Sequence, residues 1–184
     1  IMYPSIDWRK YLLNKTSMQT QHNLNISGGT KDIRYFISLG FLYQNGLLKQ
    51  FEGVGYDNNY KYKRYNYRAN LDFNVTKTTT LKIGIGGIVG NRNEPMINDA
   101  TNSIWTLINQ TTPFSSPGVI DGQLIVTPEE RFDNKINLGN SALPKCYGTG
   151  YSTAINNTMN LDLLLNQKLD FITKGLSAEI KGAY

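Results

Sequence analysis

The stretch YNYRANLDFNV, residues 65–75, decides the fold. Tyr65, Tyr67, Ala69, Leu71, Phe73 and Val75 are apolar or aromatic, and Asn66, Arg68, Asn70, Asp72 and Asn74 between them are polar. Successive side chains of a strand point to opposite faces. The segment is therefore predicted to be a strand with one greasy side and one wet side.

The same alternation recurs along the chain. Residues 22–27 place Leu24 and Ile26 on one face and Asn23, Asn25 and Ser27 on the other. After a turn at residues 28–32, Ile33, Tyr35, Ile37, Leu39, Phe41 and Tyr43 share a face. Phe36 and Leu42 are exceptions on its polar side. The opening strand extends back to Tyr60, and a fourth, residues 80–90, carries Leu81, Ile83, Ile85 and Val89 on one side. A fifth, residues 159–169, alternates Met159, Leu161, Leu163 and Leu165 with Asn160, Asp162 and Asn166, and a sixth is predicted over residues 176–184.

Turns one, three and five are short, whereas connections two and four, residues 45–59 and 91–157, are long. An up-and-down sheet puts all the short turns at one end and the long loops at the other, as in outer-membrane barrels. Two short helices are predicted outside the strands. Ser5 or Asp7 caps the first, with Trp8 and Leu12 on one face. The second lies near residues 99–109, with Asn98 as cap and Ile104, Leu107 and Ile108 as its stripe.

Alternation alone also fits a soluble sandwich. Three features favour a membrane. Residues 60–75 and 33–44 exceed the usual strand of about 5 to 6 residues and the roughly 9 to 11 needed to cross a bilayer at a tilt. Tyr60, Tyr62, Tyr65 and Tyr67 crowd one end of strand three, and Phe41 and Tyr43 the matching end of strand two, as in an aromatic girdle. The opposite face carries charge, in Arg34, Arg68, Asp72, Lys82, Asp162, Lys168, Glu179 and Lys181, which a wet lumen solvates and a packed core does not. The expected fold is all-β: an antiparallel up-and-down transmembrane β-barrel in contact with lipid. This chain supplies a partial barrel of about six strands, with one long loop carrying a short helix. Even small barrels use about eight strands, so the chain is expected to be a piece of something larger.

Composition excludes other classes. The chain has 184 residues, 18% of them charged, and a formal net charge of +5. Its cations are scattered, and the cluster Lys61-Tyr62-Lys63-Arg64 is too short to argue for nucleic acid. Cys146 is the single cysteine and His22 the single histidine, so neither a disulfide within the chain nor a zinc site is expected. No apolar run suits a spanning helix and residues 1–4 do not open a signal peptide, neither of which argues against a barrel.

Four blocks, HNLNISGGTKDIRYFISLGFLYQNGLLK, YKRYNYRANLDFNVTKTTTLKIGIGG, TTPFSSPG and NTMNLDLLLNQKLDFITKGLSAEIKG, resemble the SusC/RagA-type TonB-dependent outer-membrane transporters in order and spacing. The resemblance runs from about Asp7 to Tyr184. It implies a multi-pass barrel of about 22 strands with a plug, in the outer membrane of a Gram-negative cell. It further implies energy from an inner-membrane TonB complex and a SusD-like lipoprotein lid that helps capture glycans or peptides. It allows a dimer of transporter–lipoprotein pairs. Residues 1–21 would be a connector, residues 22–90 strands one to four, residues 91–157 the long external loop and residues 158–184 strands five and six. The plug and its TonB contact are not expected within these residues.

No catalytic group, cofactor or metal ligand set emerges. GIGGIVG, residues 84–90, lacks the dinucleotide spacing and the following helix; Gly84, Gly86 and Gly90 instead read as a flat luminal wall where a plug or loop comes close. Asp72, Asp162 and Glu179 lie on different strands without an acid–base motif. Three glycosylation-type triplets, at Asn25, Asn74 and Asn109, mean nothing in a bacterial outer membrane.

Arg34, Asn66, Arg68, Asn70, Asp72 and Lys82 are expected on the luminal wall, and Tyr43, Tyr60, Tyr62, Tyr65 and Tyr67 in the girdle. In the long loop, Trp105, Phe114, Arg131, Phe132, Tyr147 and Tyr151 are candidates to stack on ligand or pack under a lid; otherwise Trp105 and Phe114 hold the loop against the rim. The alternative function is a secreted β-sheet carbohydrate-binding or adhesin module.

Overall fold

A computed structural model describes residues 4–97, 103–125 and 142–184. Its elements are α1 (Trp8–Leu12), β1 (Gln19–Gly29), β2 (Ile33–Asn45), β3 (Lys61–Asn74), β4 (Thr79–Pro95), α2 (Ile104–Gln110), β5 (Val119–Ile120), β6 (Gln123–Leu124), α3 (Ala142–Tyr147), β7 (Tyr151–Lys168) and β8 (Ser177–Ala183). Six strands form one sheet in the order β1-β2-β3-β4-β7-β8, open at both edges, and β5 and β6 form a separate hairpin. No helix among the described residues is long and apolar enough to cross a membrane.

The pairs β1–β2, β3–β4 and β7–β8 are joined by short turns that close locally. Thr30 Oγ1 accepts from the backbone N–H groups of Asp32 and Ile33, both at 3.3 Å. Thr76 Oγ1 accepts from those of Thr78 at 3.2 Å and Thr79 at 2.9 Å. These are hydroxyl turns that pre-shape a hairpin. The pairing is antiparallel. Asn45 N donates to Met18 O at one end of β1–β2, and Thr30 N to Ile33 O at the other. On β4–β7, Lys168 N reaches Thr78 O and Met96 N reaches Gly150 O, so the register holds along both strands. β7 and β8 pair Leu164 with Lys181 and Asn166 with Glu179.

Two strand bounds differ from expectation. β4 continues to Pro95 and β7 begins at Tyr151, so the long connection is residues 96–150 rather than 91–157. The added turns of strand are polar and satisfy each other: Thr153 Oγ1 donates to Asn93 Oδ1 at 3.2 Å.

The chain divides into two compact units: a sheet unit (Thr20–Tyr43, Lys63–Asn91, Ile155–Tyr184) and a loop unit (Ile1–Gln19, Gln44–Tyr62, Arg92–Ala154). Their cores differ. In the sheet unit Leu42, 8% exposed, is the single buried apolar side chain among the described residues. Leu71 and Phe73 are half-buried, with no second sheet in that unit to cover them. In the loop unit, Trp8, Leu12, Leu48, Ile104, Leu107, Ile108, Leu124, Leu143, Cys146 and Tyr147 form a continuous core.

The loop unit explains its own helices. Asp7 caps α1 by accepting from Lys10 N at 3.2 Å, and that bond holds its carboxyl below the ordinary value. Trp8 and Leu12, four apart, face the core together. This helix is built into the core of the long loop, which goes beyond a connector's role. α2 begins at Ile104 under a Ser103 cap, whose Oγ accepts from Thr106 N at 3.3 Å; the expected cap, Asn98, lies outside the described residues. TTPFSSPG works as a latch. Trp8 Nε1 donates to Thr112 O at 2.7 Å, Ile6 N to Pro113 O at 2.9 Å, and Ser116 Oγ to Ile125 O at 2.6 Å.

Candidate functional site

Alternation carried across a register makes rows, and one face of the sheet unit is a polar row system. Arg34 Nη2 lies 3.5 Å from Asp72 Oδ2. Thr80 Oγ1 donates to Asn74 Oδ1 at 3.1 Å. An open groove of about 580 Å³ runs over this face, lined by Arg34, Asn70, Asp72, Lys82, Asp162 and Lys181 with Gly84 in its wall. Its charged groups keep contact with solvent, as the cost of burying them unpaired requires.

The other face is apolar and uncovered within its unit. Leu24, Ile26, Ile33, Tyr35, Ile37, Leu39, Ile85, Met159, Leu163, Leu165 and Ile180 are all exposed. At one level His22 stacks on Phe41 with centroids 6.4 Å apart, and Phe41 meets Tyr65 at 5.1 Å, a ring row across three strands. His22 lies within β1, which begins at Gln19. Tyr67 lies over Gly87, whose missing side chain makes room for the ring.

The loop unit holds a second polar and aromatic region. Trp105 borders two clefts, of about 360 Å³ and 530 Å³. The first adds Gln44, Tyr60, Lys61, Tyr62, Arg92 and Asn93; the second adds Tyr60, Glu94, Met96 and Ser152. Arg92 Nη2 pairs with Glu94 Oε1 at 3.1 Å, and Lys61 pairs with Asp57. Asn93 Nδ2 donates to Asp57 O at 2.8 Å and Asn59 O at 2.9 Å, which fixes the wall. Burial, with Glu94 nearby, pushes the Tyr60 phenol above its ordinary value, so it remains a neutral O–H.

The comparisons agree with this architecture. The chain is 26% identical over 125 residues to the TonB-dependent receptor SusC of Bacteroides thetaiotaomicron, a match covering 60% of this chain and 12% of SusC. Two solved structures, the RagAB peptide transporter and the RagAB peptide importer in its closed-closed state, match all of this chain with TM-scores of 0.65 and 0.63, at 16% identity. The chain is similar to receptors of the SusC/RagA type. It spans 19% of each matched RagAB chain. No protein-family model matches it.

In this chain the expected wall residues Arg34, Asn70, Asp72 and Lys82 line one groove. Asn66 sits beside Gly40 in the strand pair next to it, and Arg68 is exposed. The girdle set divides. Tyr65 and Tyr67 are on the apolar face, but Tyr60 and Tyr62 line the loop-unit cleft with Gln44 and Arg92. Their even numbers put them on the opposite face from Tyr65, which a count of nearby tyrosines overlooks.

The loop candidates also separate. Trp105 and Phe114 are exposed, so neither anchors the loop; Ile104, Leu107 and Ile108 do. Tyr151 is exposed, with its ring 6.0 Å from Tyr56. Tyr147 is only 4% exposed and its hydroxyl donates to Lys49 O at 3.0 Å, so it offers no face to a ligand. Arg131 and Phe132 lie outside the described residues. Sequence reasoning put Gln44 at the end of strand two without a site role and missed Arg92 and Glu94; extending the alternation of β4 beyond residue 90 would have found these two.

Proposed function

We propose that this chain forms part of the wall and part of the external loops of a TonB-dependent outer-membrane nutrient importer. The observation that carries this reading is the sheet with no covering layer in its own unit: one face is apolar and exposed, the other bears the Arg34–Asp72 groove. A soluble module buries one such face. Lipid on the apolar side and water or a plug on the polar side match both faces. Expected absence of catalysis accords with the relatives, which are a receptor and importers.

In the proposed cycle, ligand enters on the loop side, a plug held against the polar face is displaced under pull from TonB, and ligand passes through the lumen. A SusD-like surface lipoprotein acts as lid and shares capture of glycans or peptides, and transporter–lipoprotein pairs can dimerise. The RagAB structures bear on this as those of a peptide importer.

The test uses the full-length protein that carries this chain. It is expected in the outer-membrane fraction, soluble only with detergent, and faster on a gel unheated than boiled. Recovery from the soluble fraction without a mobility shift would support the secreted-module alternative and end the importer reading.

A further inference from the structure

The charged groups of the sheet unit divide between its two faces. Asp72 and Asp162 stand on the polar side, and Glu179 joins them opposite Asn166. β1, β2 and residues 79–91 of β4 contain no Asp or Glu. The apolar face of the described strands in this unit therefore carries no carboxylate. Lysines and arginines on these strands follow the same parity, with one exception. Lys63 is odd-numbered, on the side of Tyr65, and it is exposed. No ion pair among the described residues engages it.

His22, the single histidine of the chain, is exposed on that same side and stacked on Phe41. The pairing that sets His22 beside Phe41 and Phe41 beside Tyr65 puts Thr20, Tyr43 and Lys63 in the next row toward the long loops. Two basic side chains and a phenol thus fall within two adjacent rows, at one end of an otherwise uncharged face. A groove of about 450 Å³ lies beside them, with Leu24, Leu39, Phe41 and Tyr65 in its lining.

Depth places these rows. From Lys63 to Phe73 the apolar face runs ten steps of β3, roughly 33 Å along the strand. At a barrel tilt of about 40° that is about 25 Å of depth, the height of a lipid-facing band. Lys63 and His22 then lie at the loop-side border of the band, where headgroups meet hydrocarbon. The border at the short turns differs, because Asp32 and Asp170 accompany Lys31, Lys77 and Lys174 there.

We propose that Lys63, Tyr43 and His22 hold the phosphate of an anionic outer-leaflet lipid against the outside of the sheet, with an acyl chain along the groove beside the rings. This rests on the importer reading, which takes the apolar face to be lipid-facing. Lys63 supplies charge and donors, the Tyr43 hydroxyl donates once, and an imidazole donates an N–H in either protonation state. A zwitterionic headgroup is the poorer match, since its ammonium finds no carboxylate on this face. The class is therefore a phosphorylated lipid of the lipid A kind.

The experiment titrates the full-length receptor in detergent with bisphosphorylated lipid A, and native mass spectrometry counts the lipid retained. Heat-modifiable mobility is checked for every variant so that misfolded material is set aside. Lys63→Met and His22→Leu place apolar side chains where lipid tolerates them, and each tests the site alone. Wild type is expected to retain lipid A. Lys63→Met is expected to weaken retention about tenfold, the scale of one charge-assisted hydrogen bond, and His22→Leu about fivefold. Lys63→Arg should keep the lipid, and Lys77→Gln, at the opposite border, should change nothing. Lipid A stripped of both phosphates should bind wild type and variants alike, and weakly. The proposal is overturned if Lys63→Met or His22→Leu retains lipid A as wild type does, or if the dephosphorylated lipid binds as well as the intact one. Displacement of the lipid by millimolar inorganic phosphate also overturns it, because the site would then be one for free anions. Each of these results leaves the importer reading intact; that reading fails separately, on fractionation and gel mobility.

Discussion

Arg34 and Asp72 stand on neighbouring strands of one sheet face with 3.5 Å between guanidinium and carboxylate. Both are solvent-accessible, so the pair is a weak contributor despite its geometry. A double-mutant cycle of Arg34→Ala and Asp72→Ala in the detergent-folded protein should give a coupling of about 0.2–1 kcal/mol that shrinks in high salt. A salt-insensitive coupling several times larger would mean the pair is shielded from water in the intact molecule.

The two faces should respond oppositely to charge. Leu71→Arg puts a cation on the apolar face and is expected to cost about 2–4 kcal/mol near mid-bilayer. Asn70→Arg, one residue away on the polar face, should cost close to nothing. Reversible unfolding in lipid vesicles measures both, and equal costs would refute the assignment of faces.

Gly87 and Gly84 look alike in the sequence but differ in their surroundings. A Cβ at Gly87 would stand 2.5 Å from the Thr158 carbonyl oxygen and against the Tyr67 ring; at Gly84 the nearest atom is 3.5 Å away. Gly87→Ala should therefore destabilise by about 1–3 kcal/mol, as overpacking does, and Gly84→Ala should be tolerated. The temperature at which gel mobility shifts reads both.

Leu107 is fully buried in the loop unit and Trp105 is not. Leu107→Ala should cost about 2–5 kcal/mol of that unit's stability and speed its limited proteolysis, whereas Trp105→Ala should leave the cleavage rate unchanged. Faster cleavage in Trp105→Ala would return that residue to a structural role.

Burial pushes the Cys146 thiol up from 9.0 to about 12 and raises the neighbouring Tyr147 phenol as well. The native state keeps these protons when the unfolded chain has lost them. The stability linked to Cys146 is thus complete below pH 9.0 and is lost as pH climbs toward about 12. Thiol reagents should label native protein very slowly at pH 8, and Cys146→Ala should flatten part of the alkaline decline. Rapid labelling of folded protein at pH 8 would contradict the buried position.

Much of the sheet was legible because period-two alternation states both the strand and its faces. Tyr65 to Asn74 reads this way without help. Legibility failed where strands turn polar: Asn93 and Thr153 look like loop residues until they pair with each other. The β5–β6 hairpin carried a readable signal in Asp121-Gly122, both with positive φ, 51° and 79°, as a two-residue hairpin turn requires. The loop core was least legible, since aperiodic segments do not reveal which rings face inward; Tyr147 and Trp105 differ only in what the fold brings to them.

The bond from Trp8 to Thr112 spans 104 positions, and β1 to β4 all lie inside the loop it closes. Ordering so long a segment carries an entropic penalty that local hairpins do not. Each hairpin can zip from its own turn, whereas the Trp8–Thr112 contact needs the whole segment between them ordered. Docking of the Trp8 indole on Thr112 is therefore expected late in assembly, and time-resolved burial of Trp8 should lag strand formation.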